Sequence, residues 1–132
     1  MTRALASSWF AALFGAFFLC AATSAHAAAI APADWLSWPI HDWLAGALLL
    51  AAGLRKSGAR VRLWRAGAWG IMTSLLFGSL FADVQDLLTH VPATAGALGV
   101  ITVPQRVYVA LVGVVFAVSA AALAANVVES GS

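Results

Sequence analysis

The chain has 132 residues, of which 63% are hydrophobic and 9% are charged, and its formal net charge is +2. A soluble domain usually carries about 25% charged residues, so this composition excludes an ordinary water-soluble fold and indicates an integral membrane protein. The single cysteine, Cys20, excludes an internal disulfide and a thiolate metal cluster, and the length leaves no room for a separate catalytic domain.

The amino-terminal segment, residues 1–27, has the order of a secretory signal peptide. Arg3 precedes an apolar stretch from Trp9 to Ala22, and residues 25–27 read Ala-His-Ala, the small-residue pattern at which signal peptides are cut. The segment is also long enough, at about 20 residues, to stay as an uncleaved first transmembrane helix. We therefore expect residues 28–132 to form one all-α membrane domain of three spanning helices, or four helices in total if the signal is retained.

Three further helices are predicted over residues 38–55, 63–89 and 103–126. Ser37 has the character of an N-cap, and Pro39 is tolerated in a first helical turn.

The second and third helices have their own boundary signals. Pro92 forbids continuation of the second helix. Thr102 and Gln105 have capping-box spacing, with Pro104 in the first turn of the third helix. Residues 93–103 are predicted to form an apolar loop between the two.

Five of the seven basic residues lie between the first two of these helices: Arg55, Lys56, Arg60, Arg62 and Arg65. The positive-inside rule predicts that this connection and the carboxyl terminus lie in the cytoplasm. Heavy use of alanine and arginine suggests a bacterium, so we expect the bacterial inner membrane. Because topology explains the basic cluster, nucleic-acid binding is not expected.

Small residues recur at every fourth position in two rows: Ala66, Gly70, Ser74, Gly78 and Ala82, and then Gly113, Ala117, Ala121 and Ala125. Helices in lipid associate through close backbone approach, which small residues allow. We predict that these rows pack helices of the same chain together. Homo-oligomer contacts are the alternative use of the same surfaces.

Polar residues collect on the predicted outer side: His41, Asp42, Asp83, Asp86 and His90. The last three are spaced i, i+3, i+7, which places them on one stripe if the helix continues past Ala82. Three uses remain open. Asp83 or Asp86 pairs with Arg106 in a structural ion pair, the histidines and carboxylates hold a metal ion, or His41 and His90 bind a haem.

No nucleophile elbow, phosphate-binding loop or dinucleotide motif occurs in the sequence. We therefore expect a non-enzymatic accessory or assembly subunit of an envelope complex, with no cofactor required. Its expected partners are the lipid bilayer and either another membrane protein or further copies of the chain. The alternatives are a ligand-binding membrane module with a periplasmic-face metal or haem site, and a small oligomeric channel or transporter.

Overall fold

A computed structural model describes residues 2–29, 40–55, 58, 60–89, 95–98 and 101–131, with side chains described for 3–23, 40–55, 58, 60–82, 84–85, 107 and 109–128. Within these residues there are five helices and one two-stranded hairpin. The elements in chain order are α1 (Thr2–Leu5), α2 (Ser8–Ala29), α3 (Ile40–Leu54), α4 (Val61–Thr89), β1 (Ala95–Leu98), β2 (Ile101–Pro104) and α5 (Gln105–Gly131). The predicted helical bundle is confirmed.

The four long helices pack in sequence order, α2 on α3, α3 on α4 and α4 on α5. The carbonyl oxygen of Ala6, just before α2, accepts a hydrogen bond from Arg65 near the start of α4. Thr23 of α2 accepts a hydrogen bond from Trp43 at the start of α3. On α5, Gly113 faces Leu80 and Leu123 faces Gly70. Successive helices therefore run in alternating directions. We call the end with Arg3, Arg62 and Arg65 the basic end, and the opposite end, where α3 begins, the histidine end.

The core is built around one face of α4. Trp69 is fully buried, and its ring stacks on Phe10 with centroids 5.7 Å apart and meets Phe14 edge-on at 4.9 Å. The other buried apolar residues of this core come from all four long helices: Ala11, Ala45, Leu49, Ala52, Ala68, Met72, Leu76 and Ala122. The amino-terminal segment thus supplies part of the core and does not lie apart from it.

The backbones of α2 and α3 approach each other closely, and glycines make this possible. A Cβ atom on Gly15 would lie 2.6 Å from the backbone nitrogen of Leu50, and one on Gly53 would collide with the backbone of Ala12. Since no Cβ fits at either position, the two backbones can touch only where the side chain is absent. This glycine contact is not among the small-residue rows that the sequence indicated.

The predicted rows on α4 and α5 contribute less to internal packing than expected. Gly70 and Gly113 each approach one leucine of the facing helix, at 3.9 Å and 4.0 Å from an added Cβ. Ser74, Gly78 and Ala117 are exposed, which corrects their predicted use in packing helices of the same chain. The reason is geometric: a row at every fourth residue drifts about 40° per step around a helix of 3.6 residues per turn, so it leaves the interface.

The segment predicted as a loop contains the hairpin. β1 and β2 pair antiparallel, with Ala95 opposite Pro104 and Leu98 opposite Ile101. The β-branched residues of β2 favour a strand over a loop. Helix α5 begins at Gln105, so Pro104 ends the strand instead of lying in the first helical turn. The predicted start of the preceding helix at Ser37 lies outside the described residues.

One stretch of the described chain, Val109–Val128 in α5, is long and apolar enough to cross a membrane. Shorter apolar helical stretches occupy Ser8–Thr23 and Ile40–Leu54. The number of spans predicted from the sequence stays a prediction.

Candidate functional site

His41 and Asp42 are the two members of the predicted outer cluster whose side chains are described. His41 Nε2 lies 3.7 Å from Asp42 Oδ1, and the two side chains are 69% and 22% exposed, respectively. Asp42 also lies in the first turn of α3, where the helix dipole stabilises a negative charge. The position of Asp42 in the first turn is favourable for its charge at the start of its own helix.

The remaining members of the cluster are placed only in part. Helix α4 continues to Thr89, as the predicted stripe requires, and carries Asp83 and Asp86 near its end, while Arg106 lies in the first turn of α5. The side chains of these three residues, and all of His90, lie outside the described residues. Among the residues that are described, no three metal-ligating side chains come together. The metal, haem and ion-pair uses of the cluster stay predictions.

A stripe of outward-facing residues runs along α4, and we call it the outer stripe. It comprises Gly67, Ile71, Ser74, Gly78 and Phe81, all of them exposed. An added Cβ on Gly67 or Gly78 would meet nothing within 4 Å, whereas Ile71 and Phe81 are 50% and 63% exposed. The spacing alternates between four and three residues, as in the contact seam of a coiled coil.

A groove of about 380 Å³ lies beside the outer stripe, between α3 and α4. Leu48 forms its α3 side, and Leu63, Trp64, Gly67 and Ile71 are among the α4 residues that line it. Arg60 is the one charged residue in the described lining and the other lining residues are apolar, so the groove is suited to an apolar side chain. The groove and the outer stripe share Gly67 and Ile71, so the two surfaces adjoin on the exposed side of α4.

Polar side chains inside the bundle have hydrogen-bond partners. Thr73 Oγ1 and Ser119 Oγ are 2.8 Å apart across the α4–α5 interface, and Asn126 Nδ2 donates within α5 to the carbonyl oxygen of Ala122 at 2.7 Å. Buried hydroxyl and amide groups need such partners, because an apolar surrounding offers none. We assign these groups a packing role.

Three polar residues are buried at positions that the sequence does not single out for burial: Arg65, Ser119 and Asn126. The sequence predicts a topological role alone for Arg65, but Arg65 is 8% exposed, and its Nη1 donates to the carbonyl oxygen of Ala6 at 2.9 Å. A signal was present: Arg65 precedes Ala68, Trp69 and Met72 by three, four and seven residues, which is the spacing of one helix face. Arg65 therefore belongs to the buried face of α4 and not to its exposed basic surface.

Comparison with other proteins adds no assignment: no known family, curated protein or solved structure matches the chain. Its function is therefore inferred from the surfaces and contacts described above.

Proposed function

We propose that this chain is a small integral membrane protein that serves as a non-enzymatic accessory subunit of an envelope complex. The observation that carries the proposal is the outer stripe of α4, where Gly67, Ser74 and Gly78 are exposed in line with the exposed side chains of Ile71 and Phe81. The occupant that we propose for the stripe is a transmembrane helix of a different membrane protein.

Exposed apolar side chains support insertion into a membrane. Large hydrophobic residues are more than half exposed on each of the four long helices, including Phe17 on α2, Leu44 on α3, Phe81 on α4 and Val114 on α5. Contiguous apolar surface on this scale is unfavourable in water, whereas a bilayer covers it without loss. The proposed setting is the bacterial inner membrane, with the basic end in the cytoplasm according to the positive-inside rule.

We further propose that α2 remains in the bundle as the first of four spans. Helix α2 has 22 residues, so it is about 33 Å long and matches a hydrocarbon core of about 30 Å. Removal of residues 1–27 would take Phe10 and Phe14 away from Trp69 and would leave Arg65 without the carbonyl of Ala6. These losses favour the uncleaved alternative over the cleaved one.

The geometry of the outer stripe supports a helix as its occupant. In lipid, helices associate where small residues let their backbones come close, and an alternation of three and four residues keeps the contact on one line. Gly67, Ser74 and Gly78 supply the small residues, and Ile71 and Phe81 supply apolar side chains beside them. The adjoining groove provides space for a side chain of the partner helix.

The test is in-membrane photo-crosslinking from position 71 of the full chain, combined with two substitutions. Gly78→Leu places a large side chain on the stripe, where an added Cβ meets nothing of the chain itself. Ala51→Leu makes a comparable change on the exposed side of α3 and serves as the control. We expect a stoichiometric crosslink to another membrane protein. Gly78→Leu should lower the crosslinking yield about tenfold, which corresponds to roughly 1.4 kcal/mol of association free energy. Ala51→Leu should leave the yield unchanged.

Other outcomes would contradict the proposal. Equal crosslinking in both variants, or crosslinking to lipid alone, would remove the stripe as a partner site. A crosslink to a second copy of the chain would replace the accessory role by homo-oligomerisation. A purified chain whose mass lacks residues 1–27 would contradict the fourth span.

A further inference from the structure

A second cavity, of about 370 Å³, opens at the basic end, where α1 and the start of α4 meet the end of α5. It is lined by Arg3, Ala6, Arg62, Arg65 and Asn126. The volume is at the lower end of the range for small-ligand sites, roughly 300–1,000 Å³. Three guanidinium groups and no carboxylate belong to the described lining, so the cavity is strongly electropositive.

Arg65 lies deepest among these cations and has a hydrogen-bond donor that is not used. Its Nη1 is bound to the carbonyl of Ala6, but its Nε is buried with no hydrogen-bond partner. An arginine side chain carries its charge at neutral pH. A buried cation is stabilised by an anion, and the unused Nε donor gives such an anion a hydrogen bond.

We propose that this cavity binds a phosphate-type anion, with Arg65 as its innermost ligand and with Arg3 and Arg62 beside it. Guanidinium groups suit phosphate because their planar set of N–H donors matches two phosphate oxygens at once. The phosphate is either a free inorganic ion or the phosphoryl group of an anionic lipid, since polybasic sites next to a membrane attract such headgroups. This inference does not depend on the accessory role proposed above.

Two binding experiments on the full chain separate the sources of the anion. In the first, inorganic phosphate is titrated against the protein in phosphatidylcholine nanodiscs, with chloride at equal ionic strength as the reference, and tryptophan fluorescence is followed. In the second, the protein is transferred to nanodiscs that contain phosphatidylglycerol, and lipid retention is measured by native mass spectrometry. Saturable phosphate binding identifies the free ion, and retention of phosphatidylglycerol alone identifies the lipid headgroup. Absence of both overturns the proposal.

Matched variants test whether the cavity is the binding site. We expect Arg62→Gln to weaken binding of whichever anion is found by about tenfold or more, as for loss of one charge-assisted hydrogen bond. Arg55→Gln removes the same charge at the same end without touching the cavity lining, and we expect less than a twofold change. Equal losses in the two variants would mean unspecific attraction and would overturn the site.

Arg65→Gln should abolish binding, but this variant also breaks a buried contact. If it does not fold, Arg3→Gln and Arg62→Gln carry the test. An internal counter-ion is the competing explanation, and Glu129 is the one acidic residue of the sequence after Asp86. If Glu129→Gln creates phosphate binding that the unaltered chain lacks, the cavity holds that carboxylate and the proposal is wrong.

Discussion

Replacement of Gly15 by alanine tests the contact on which the position of α2 depends. The added Cβ would lie 2.6 Å from the backbone nitrogen of Leu50 and 2.9 Å from the carbonyl oxygen of Gly46. Ordinary contacts of a Cβ atom begin near 3.4 Å, so α2 and α3 must separate by almost 1 Å. Both contacts are with backbone atoms, which cannot rotate away as a side chain can.

The expected magnitude combines two opposing effects. Overpacking of a tight contact costs about 1–3 kcal/mol, and the rigid backbone neighbours place Gly15→Ala near the upper value. Alanine has a helix propensity that is better than that of glycine by about 1 kcal/mol, which offsets part of this loss. We therefore expect Gly15→Ala to lower the free energy of unfolding by about 2 kcal/mol.

Gly67→Ala is the matched control, because an added Cβ at that position meets nothing within 4 Å. Here the propensity gain acts alone, so we expect a rise of about 1 kcal/mol and a difference between the two variants of about 3 kcal/mol. Denaturant titration in detergent, followed by tryptophan fluorescence, measures both. If Gly15→Ala is as stable as Gly67→Ala, α2 is not docked on α3 and the four-span arrangement loses its support.

Two further predictions concern the interior of the bundle. Phe14→Ala should lower the free energy of unfolding by about 3 kcal/mol, because the Phe14 ring meets Trp69 at 4.9 Å. Phe17 is 67% exposed, so Phe17→Ala should change the free energy of unfolding by less than about 0.5 kcal/mol. Equal effects of the two substitutions would mean that α2 does not turn Phe14 towards the core. For the pair Thr73 and Ser119, a double-mutant cycle with Thr73→Val and Ser119→Ala should yield a coupling energy of about 0.6 kcal/mol and at most about 1.7 kcal/mol. A coupling energy of zero would show that the 2.8 Å contact does not stabilise the α4–α5 interface.

Features that depend on local sequence could be predicted well. The helical character follows from composition and periodicity, and continuation of α4 to Thr89 follows from the absence of a helix breaker before Pro92. Arg3 and the basic residues at the start of α4 lie at the same end of the bundle. The sequence predicts this as well, because successive helices alternate in direction. The hairpin carried a usable signal as well, since two short apolar segments are separated by Gly99 and Val100 and the second is rich in β-branched residues.

The choice of which faces touch could not be made from the sequence. Small residues mark every helix face that is able to approach another, and this chain has several such faces. The α2–α3 contact uses Gly15 and Gly53 because their facing positions are complementary, whereas an added Cβ on Gly78 meets nothing within 4 Å. Complementarity is a property of two surfaces together, and neither segment encodes it alone.

Burial of Arg65 shows the same limit at the level of one residue. Its charge and its place in a basic cluster indicate cytoplasmic topology, and the sequence carries that information by itself. Its burial depends on a carbonyl oxygen 59 positions away in the chain and on the cavity that α1 and α5 close around it. The sequence by itself determined that the chain forms apolar helices with one basic end. Only the tertiary structure decided that an arginine of that end lies inside, because its environment consists of groups that local sequence cannot bring together.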